Sequence, residues 1–238
     1  MSHRTLTTSP LDAFAPELCW HNGEPEEWNF DEENGTLEIR PTPQLDYWSR
    51  TFYSPCLKKH DGQTLIRTVG CDEEVTLTTC FTLKPRAQFD QAGVIILVDE
   101  NTWVKAGIEY CDGVPRLSCV VTNEGFSDWS TQRYDNWDEN EKATSVRVRV
   151  HKLSPGSEQG PCVVFEAAPY HLGDAADSPA SWTFVRIASL RSEAPWQMGI
   201  FCFAPVKQAG CLAQFHHFRI GPKADMEHSD DSSTMKST

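Results

Sequence analysis

From about residue 36 to 220 the chain alternates apolar and polar positions with period 2 in β-branched and aromatic stretches, and helical periodicity is nearly absent. Val75, Leu77, Thr79, Phe81 and Leu83 form one such row between Asp72-Glu73-Glu74 and Lys84-Pro85, which predicts a long strand with one buried face. Val94 to Val98 is apolar at every position, the pattern of a central strand covered on both sides. Asp99-Glu100-Asn101 then turns the chain into Trp103 to Tyr110. There Val104, Ala106, Ile108 and Tyr110 share one face, while Trp103, Lys105, Gly107 and Glu109 share the other. Asp112-Gly113 is a hairpin signal, with Arg116 to Val121 as the returning strand. Farther on, Val146, Val148 and Val150 alternate with Arg147, Arg149 and His151. Val163 to Phe165, Trp182 to Ala188, Met198 to Phe203 and Cys211 to Ile220 complete the set. About a dozen short strands with turn punctuation predict an all-β, two-sheet sandwich or jelly roll. All-β sandwiches of this length are commonly one domain. The expected organisation is a flexible N-terminal arm over 1–14, the sandwich over 15–221 and a disordered polar tail over 222–238.

Composition narrows the function. The 238 residues carry 21 Lys+Arg against 34 Asp+Glu, a formal charge of -13, and have no cluster of basic residues, so nucleic acid is not an expected partner. No apolar run approaches the ~20 residues needed to span a bilayer, and Met1 to Pro10 lacks a signal-peptide core, so a soluble cytoplasmic protein without membrane contact is expected. The nine cysteines show no C-x-x-C and no repeated spacing, which predicts reduced thiols packed as small hydrophobes. Asn34-Gly35-Thr36 matches a glycosylation sequon but reads as a turn. No metal or other cofactor is expected: His216 and His217 should face opposite sides of a strand, and no Asp/Asn loop offers calcium a convergent set of oxygens.

Four segments carry more polar and aromatic character than a sandwich needs. In Asp46-Tyr47-Trp48-Ser49-Arg50-Thr51, an extended strand would point Asp46, Trp48 and Arg50 to one face. The others are Gln88-Phe89-Asp90-Gln91, the face of Trp103, Lys105 and Glu109, and Ser127-Asp128-Trp129-Ser130. Aromatic rings flanked by planar polar groups suit a carbohydrate, which offers C–H faces for stacking and hydroxyls for hydrogen bonds. The competing structural reading makes Trp48, Trp103 and Trp129 core aromatics and the charges satisfied ion pairs.

The segments 46–53, 89–94, 103–110, 121–123 and 127–130 occur in an order and spacing that resemble a known concanavalin A-like family. That family includes the yeast regulation-of-enolase protein and small bacterial proteins from polysaccharide-utilisation clusters. The resemblance covers about residues 15 to 221 and implies a jelly-roll sandwich of the lectin and glucanase type, usually free-standing and cytosolic. It implies binding or regulation, with links to enolase and galactose metabolism, and sugar contact through related sandwich domains appended to glycoside hydrolases. This chain has Phe52-Tyr53-Ser54 where many members have His-Tyr-Gly, and a longer insertion from Pro169 to Ser181.

Retaining glycosidases need two carboxylates ~5 Å apart, which glucanases of this fold supply from one strand as Glu-x-Asp-x-Glu. That motif is missing, as are a G-x-S-x-G elbow and a P-loop. The expectation is therefore a non-enzymatic carbohydrate-binding-like or metabolic regulatory protein. Asp46, Trp48, Arg50, Asp90, Gln91, Lys105, Glu109 and Asp128 would line one groove, with Trp103 or Trp129 as stacking platform. The alternative is an enzyme acting on a glycoside or sugar acid with Asp90 and Glu109 as acid and base. A third is a surface for a protein such as enolase.

Overall fold

The computed structural model describes residues 10–154, 160–175, 180–190, 194–207 and 210–226. A five-residue helix, α1 (Pro10–Phe14), precedes β1 (Cys19–His21), β2 (Glu27–Asp31), β3 (Thr36–Arg40), β4 (Tyr47–Ser49), β5 (Lys58–His60) and β6 (Thr64–Val69). The long central strands follow: β7 (Val75–Lys84), β8 (Gln91–Asp99), β9 (Thr102–Cys111), β10 (Val114–Asn123) and β11 (Phe126–Arg133). The second half adds β12 (Trp137–Asp138), β13 (Ala143–Leu153), β14 (Cys162–Pro169), β15 (Thr183–Ser189), β16 (Trp196–Phe203) and β17 (Leu212–Pro222).

These strands build a jelly-roll sandwich of two antiparallel sheets. One is seven-stranded, in the order β1-β6-β16-β8-β9-β10-β11; the other runs β15-β14-β13-β7-β17-β3-β2, with β12 paired to β13. The core between them takes one face of each strand: Val94, Ile96, Val104, Ala106 and Ile108 meet Leu77, Phe81, Val146, Val148 and Val150. The unbroken apolar run in β8 has a direct cause. Val94 and Ile96 enter this core, whereas Ile95 and Leu97 enter a second cluster on the outer side of the seven-stranded sheet. That outer cluster is roofed by the separate β4–β5 hairpin.

Three local expectations change. Residues 10–14, placed in a flexible arm, form α1, because Leu11 and Ala15 reach the core and Phe14 packs on Phe30 and Phe218. A β-bulge between Phe215 and His217 puts an extra residue in β17, so His216 and His217 both lie on the outer face of the eight-stranded sheet instead of opposite sides. All nine cysteines are free, but Cys19 and Cys56 are exposed and not part of the core. The expected tail beyond residue 226 lies outside the described residues.

Candidate functional site

The floor of the site follows from strand register. A two-residue turn at Asp112-Gly113 pairs Cys111 with Val114 and therefore Gly107 with Ser118 and Lys105 with Val120; β8 aligns Gly93 with Gly107 and Gln91 with Glu109. Trp103, Lys105 and Glu109 thus project outward beside Phe203, Gln91, Ser118 and Val120. Gly93 and Gly107 sit where the two backbones close: a Cβ on Gly107 would stand 2.1 Å from the Ala92 carbonyl oxygen. The glycine leaves the floor open between Lys105 and Glu109.

The β4–β5 hairpin forms the roof. Ser49 donates its backbone N–H to Ser127 Oγ (2.9 Å) and its hydroxyl to the Gly125 carbonyl (2.7 Å), which fixes the hairpin to the β10–β11 end of the sheet. Between roof and floor lies a cavity of about 220 Å³. Its walls are aromatic, from Trp48, Tyr53, Phe89 and Trp129, and its polar groups are Asp46, Lys105 and Glu109.

Those groups form two linked units. Lys105 Nζ donates to Asp46 Oδ1 at 2.6 Å, and Gln91 Nε2 donates to the same oxygen at 3.3 Å. Glu109 Oε2 accepts from the Ser118 hydroxyl (2.6 Å) and from the Trp129 indole N–H (3.0 Å), which also approaches Ser118 Oγ at 2.9 Å. Glu109 Oε1 receives no hydrogen bond from the described residues. Burial pushes the Glu109 carboxyl above the usual carboxylate range, against the opposing pull of Lys105 and its two donors.

The raised pKa sets a stability slope. The native state keeps a proton that the unfolded chain releases, so this group's contribution is fully present at low pH and is lost as pH rises from the ordinary glutamate range through the native value. Glu109→Gln, which cannot ionise, removes that loss. The melting temperature of the variant minus that of the native chain is expected to grow between about pH 4 and pH 8; a difference independent of pH would contradict the assignment.

Of the ten residues singled out in the sequence, Asp46, Trp48, Lys105, Glu109 and Trp129 line the cavity. Gln91 is buried beside them as a donor to Asp46, and Trp103 lies in the floor with no exposed surface. Three do not join the groove. Arg50 leaves the strand because β4 ends at Ser49; its φ of 62° turns the chain, and the exposed guanidinium lies 5.3 Å over the Phe126 ring. Asp90 is buried and accepts the Arg86 and Ala87 backbone N–H groups through Oδ2 at 2.7 and 2.9 Å, closing the turn before β8. Asp128 pairs with core-facing Val121, so strand alternation sends it to the opposite face from Trp129.

The sequence reading missed Ser118, Tyr53 and Phe89. Ser118 was accessible by counting back from the Asp112-Gly113 turn, whereas Tyr53 and Phe89 reach the cavity through loops whose paths no periodicity encodes. Among the described residues, no group of three or more His, Cys, Asp and Glu side chains is placed to hold a metal ion, and no helix is long and apolar enough to cross a membrane.

The sandwich has the concanavalin A-like jelly-roll fold, with a small aromatic and charged pocket on one sheet face. The chain belongs to the family described as "Protein of unknown function (DUF1349)", which it matches over residues 20–223. It is 31% identical over 153 residues to Regulation of enolase protein 1 of Saccharomyces cerevisiae, spanning 60% of this chain and 70% of that protein. In structure it resembles a functionally unknown protein from Saccharomyces cerevisiae, with a TM-score of 0.70, 24% identity and coverage of 88% of this chain and 98% of the other. A xyloglucan-locus GH43B protein of Bacteroides ovatus shares the fold at a TM-score of 0.60 and 14% identity, covering 89% of this chain but only 39% of that one. A legume lectin-like domain from Entamoeba histolytica aligns at 0.54 and 8% identity, over 91% and 94% of the two chains.

Proposed function

We propose that the pocket under the β4–β5 hairpin binds one sugar-sized polyol, and that the protein is a non-enzymatic carbohydrate-binding or metabolic regulatory protein of the cytoplasm. The observation that carries this reading is Trp129. The residue is 38% exposed and lines the cavity, and its indole N–H is held by Glu109 and Ser118. A fixed, half-exposed indole offers a stacking face at little entropic cost, and Glu109 Oε1 beside it is an acceptor for hydroxyls. The volume of about 220 Å³ is below the range of roughly 300–1,000 Å³ for drug-sized ligands, which suits a single ring. The lectin-like and GH43 neighbours of the fold support the ligand class. The nine free thiols agree with a reducing compartment.

Asp90 counts against the enzymatic alternative, because its Oδ2 closes a turn on two backbone amides and the residue does not line the cavity. The test is a thermal-shift series with neutral monosaccharides and sugar acids. A ligand at 100 times its Kd adds about 2.7 kcal/mol of apparent stability, and Trp129→Ala should abolish the shift. Turnover of any sugar that disappears in Glu109→Gln would overturn the binder reading. A protein partner such as enolase is the second reading, favoured by the name of the yeast relative. Binding of purified enolase that Trp129→Ala weakens, with no response to sugars, would replace the first reading by the second.

A further inference from the structure

The opposite face of the sandwich carries a second feature that the sugar pocket does not use. On the outer side of the eight-stranded sheet, β13 presents Arg147 and Arg149, β7 presents Thr78, and β17 presents His217 and Arg219. Register places Arg149, Thr78 and Arg219 in one row across three neighbouring strands. With Lys223 the three arginines border a groove of about 430 Å³ that no carboxylate lines among the described residues. Such a concentration stands out on a chain of net charge -13. Like charges gathered on one sheet face repel one another, a cost that a bound anion removes.

Two nearby acids, Glu166 and Glu74, are committed beside the groove. Glu166, fully buried, holds Arg149 Nε at 2.6 Å and faces His151 Nε2 at 3.1 Å. Glu74 takes Lys223 Nζ at 3.2 Å and the Ser154 backbone N–H at 3.1 Å. Arg149 is further clamped by Trp182, whose ring centroid lies 4.1 Å from its guanidinium carbon. Its Nε is occupied and its plane stacked, so the position of its terminal N–H groups is set before any ligand arrives. Arg219 is exposed and makes no ion pair with the described residues.

We infer that this groove binds a small phosphate monoester. Two guanidinium forks flanking a threonine hydroxyl match a dianion with three acceptor oxygens, and the groove has room for a small organic group beyond the phosphate. A long polyanion is disfavoured by the acidic remainder of the surface.

The test is calorimetric titration of the full chain at low ionic strength with inorganic phosphate, with glycerol 3-phosphate, and with citrate as polycarboxylate control. Saturable one-site binding of both phosphates, weaker binding of citrate and loss of affinity with added chloride are expected. Arg219→Gln, at an exposed position that leaves the Arg149–Glu166 pair intact, should weaken phosphate binding about tenfold or more. Arg219→Lys should fall between, since it keeps the charge but not the fork. Trp129→Ala, on the other face, should leave phosphate affinity unchanged, which separates this site from the sugar pocket. Absence of saturable binding, equal affinity in Arg219→Gln, tighter binding of citrate, or loss of phosphate binding in Trp129→Ala would each overturn the inference.

Discussion

Lys105→Met is expected to destabilise the protein by about 3–5 kcal/mol, because it strands a largely buried Asp46 carboxylate without its cation. The pair is 2.6 Å long, with side chains only 4% and 13% exposed. Domains of this kind are held by roughly 5–15 kcal/mol in total, so the single variant loses a large fraction of its stability. Removing both charges has a different outcome. Lys105→Met with Asp46→Asn removes both ions of the pair, and Gln91 keeps an oxygen to donate to. The double variant should recover most of the loss, since a buried pair often contributes little net stability over apolar replacements. Urea unfolding of Lys105→Met, Asp46→Asn and the double variant forms a double-mutant cycle; a Lys105→Met variant within about 0.5 kcal/mol of the native chain would show that the pair is not dehydrated as described.

Trp103→Ala should cost a similar amount, about 3–5 kcal/mol, for a different reason. The side chain is completely buried and meets Tyr47 edge-on, with ring centroids 5.5 Å apart, at the centre of the outer cluster under the hairpin. Its removal leaves a cavity beneath both roof and pocket. Trp129→Ala, by contrast, truncates a residue 38% exposed at the sheet edge and should cost much less stability while removing the ligand. The two substitutions therefore separate floor from platform. Equal destabilisation by both in thermal or urea unfolding would contradict the division of roles.

Much of this architecture is legible in the residues because the period-2 signal is local. Val94–Val98 announced a strand covered on two sides, and the covers are the main core and the hairpin cluster. The face of Trp103, Lys105 and Glu109 was readable from alternation alone. What alternation cannot supply is where a strand stops and where a loop folds back. Arg50 would share a face with Trp48 had β4 continued, but the positive φ ends the strand one residue earlier. Asp90 carries the composition of a binding residue yet closes a turn, a distinction made only by the backbone amides of Arg86 and Ala87. The bulge in β17 moved His216 to the face of His217, and one extra residue in a strand leaves no mark in composition. Asp46, just before β4, meets Lys105 of β9 from 59 residues away, which is a contact of tertiary structure alone.

The most direct test of the sugar pocket is the indole N–H spectrum of the protein during titration with monosaccharides. Eight tryptophans report at once, and only Trp129 and Trp48 line the cavity. A sugar seated there should move the Trp129 resonance saturably and the Trp48 resonance with it, while Trp182 and the fully buried Trp196 stay in place. A Trp129 resonance unmoved by every sugar and sugar acid, or a response confined to Trp182, would contradict the account.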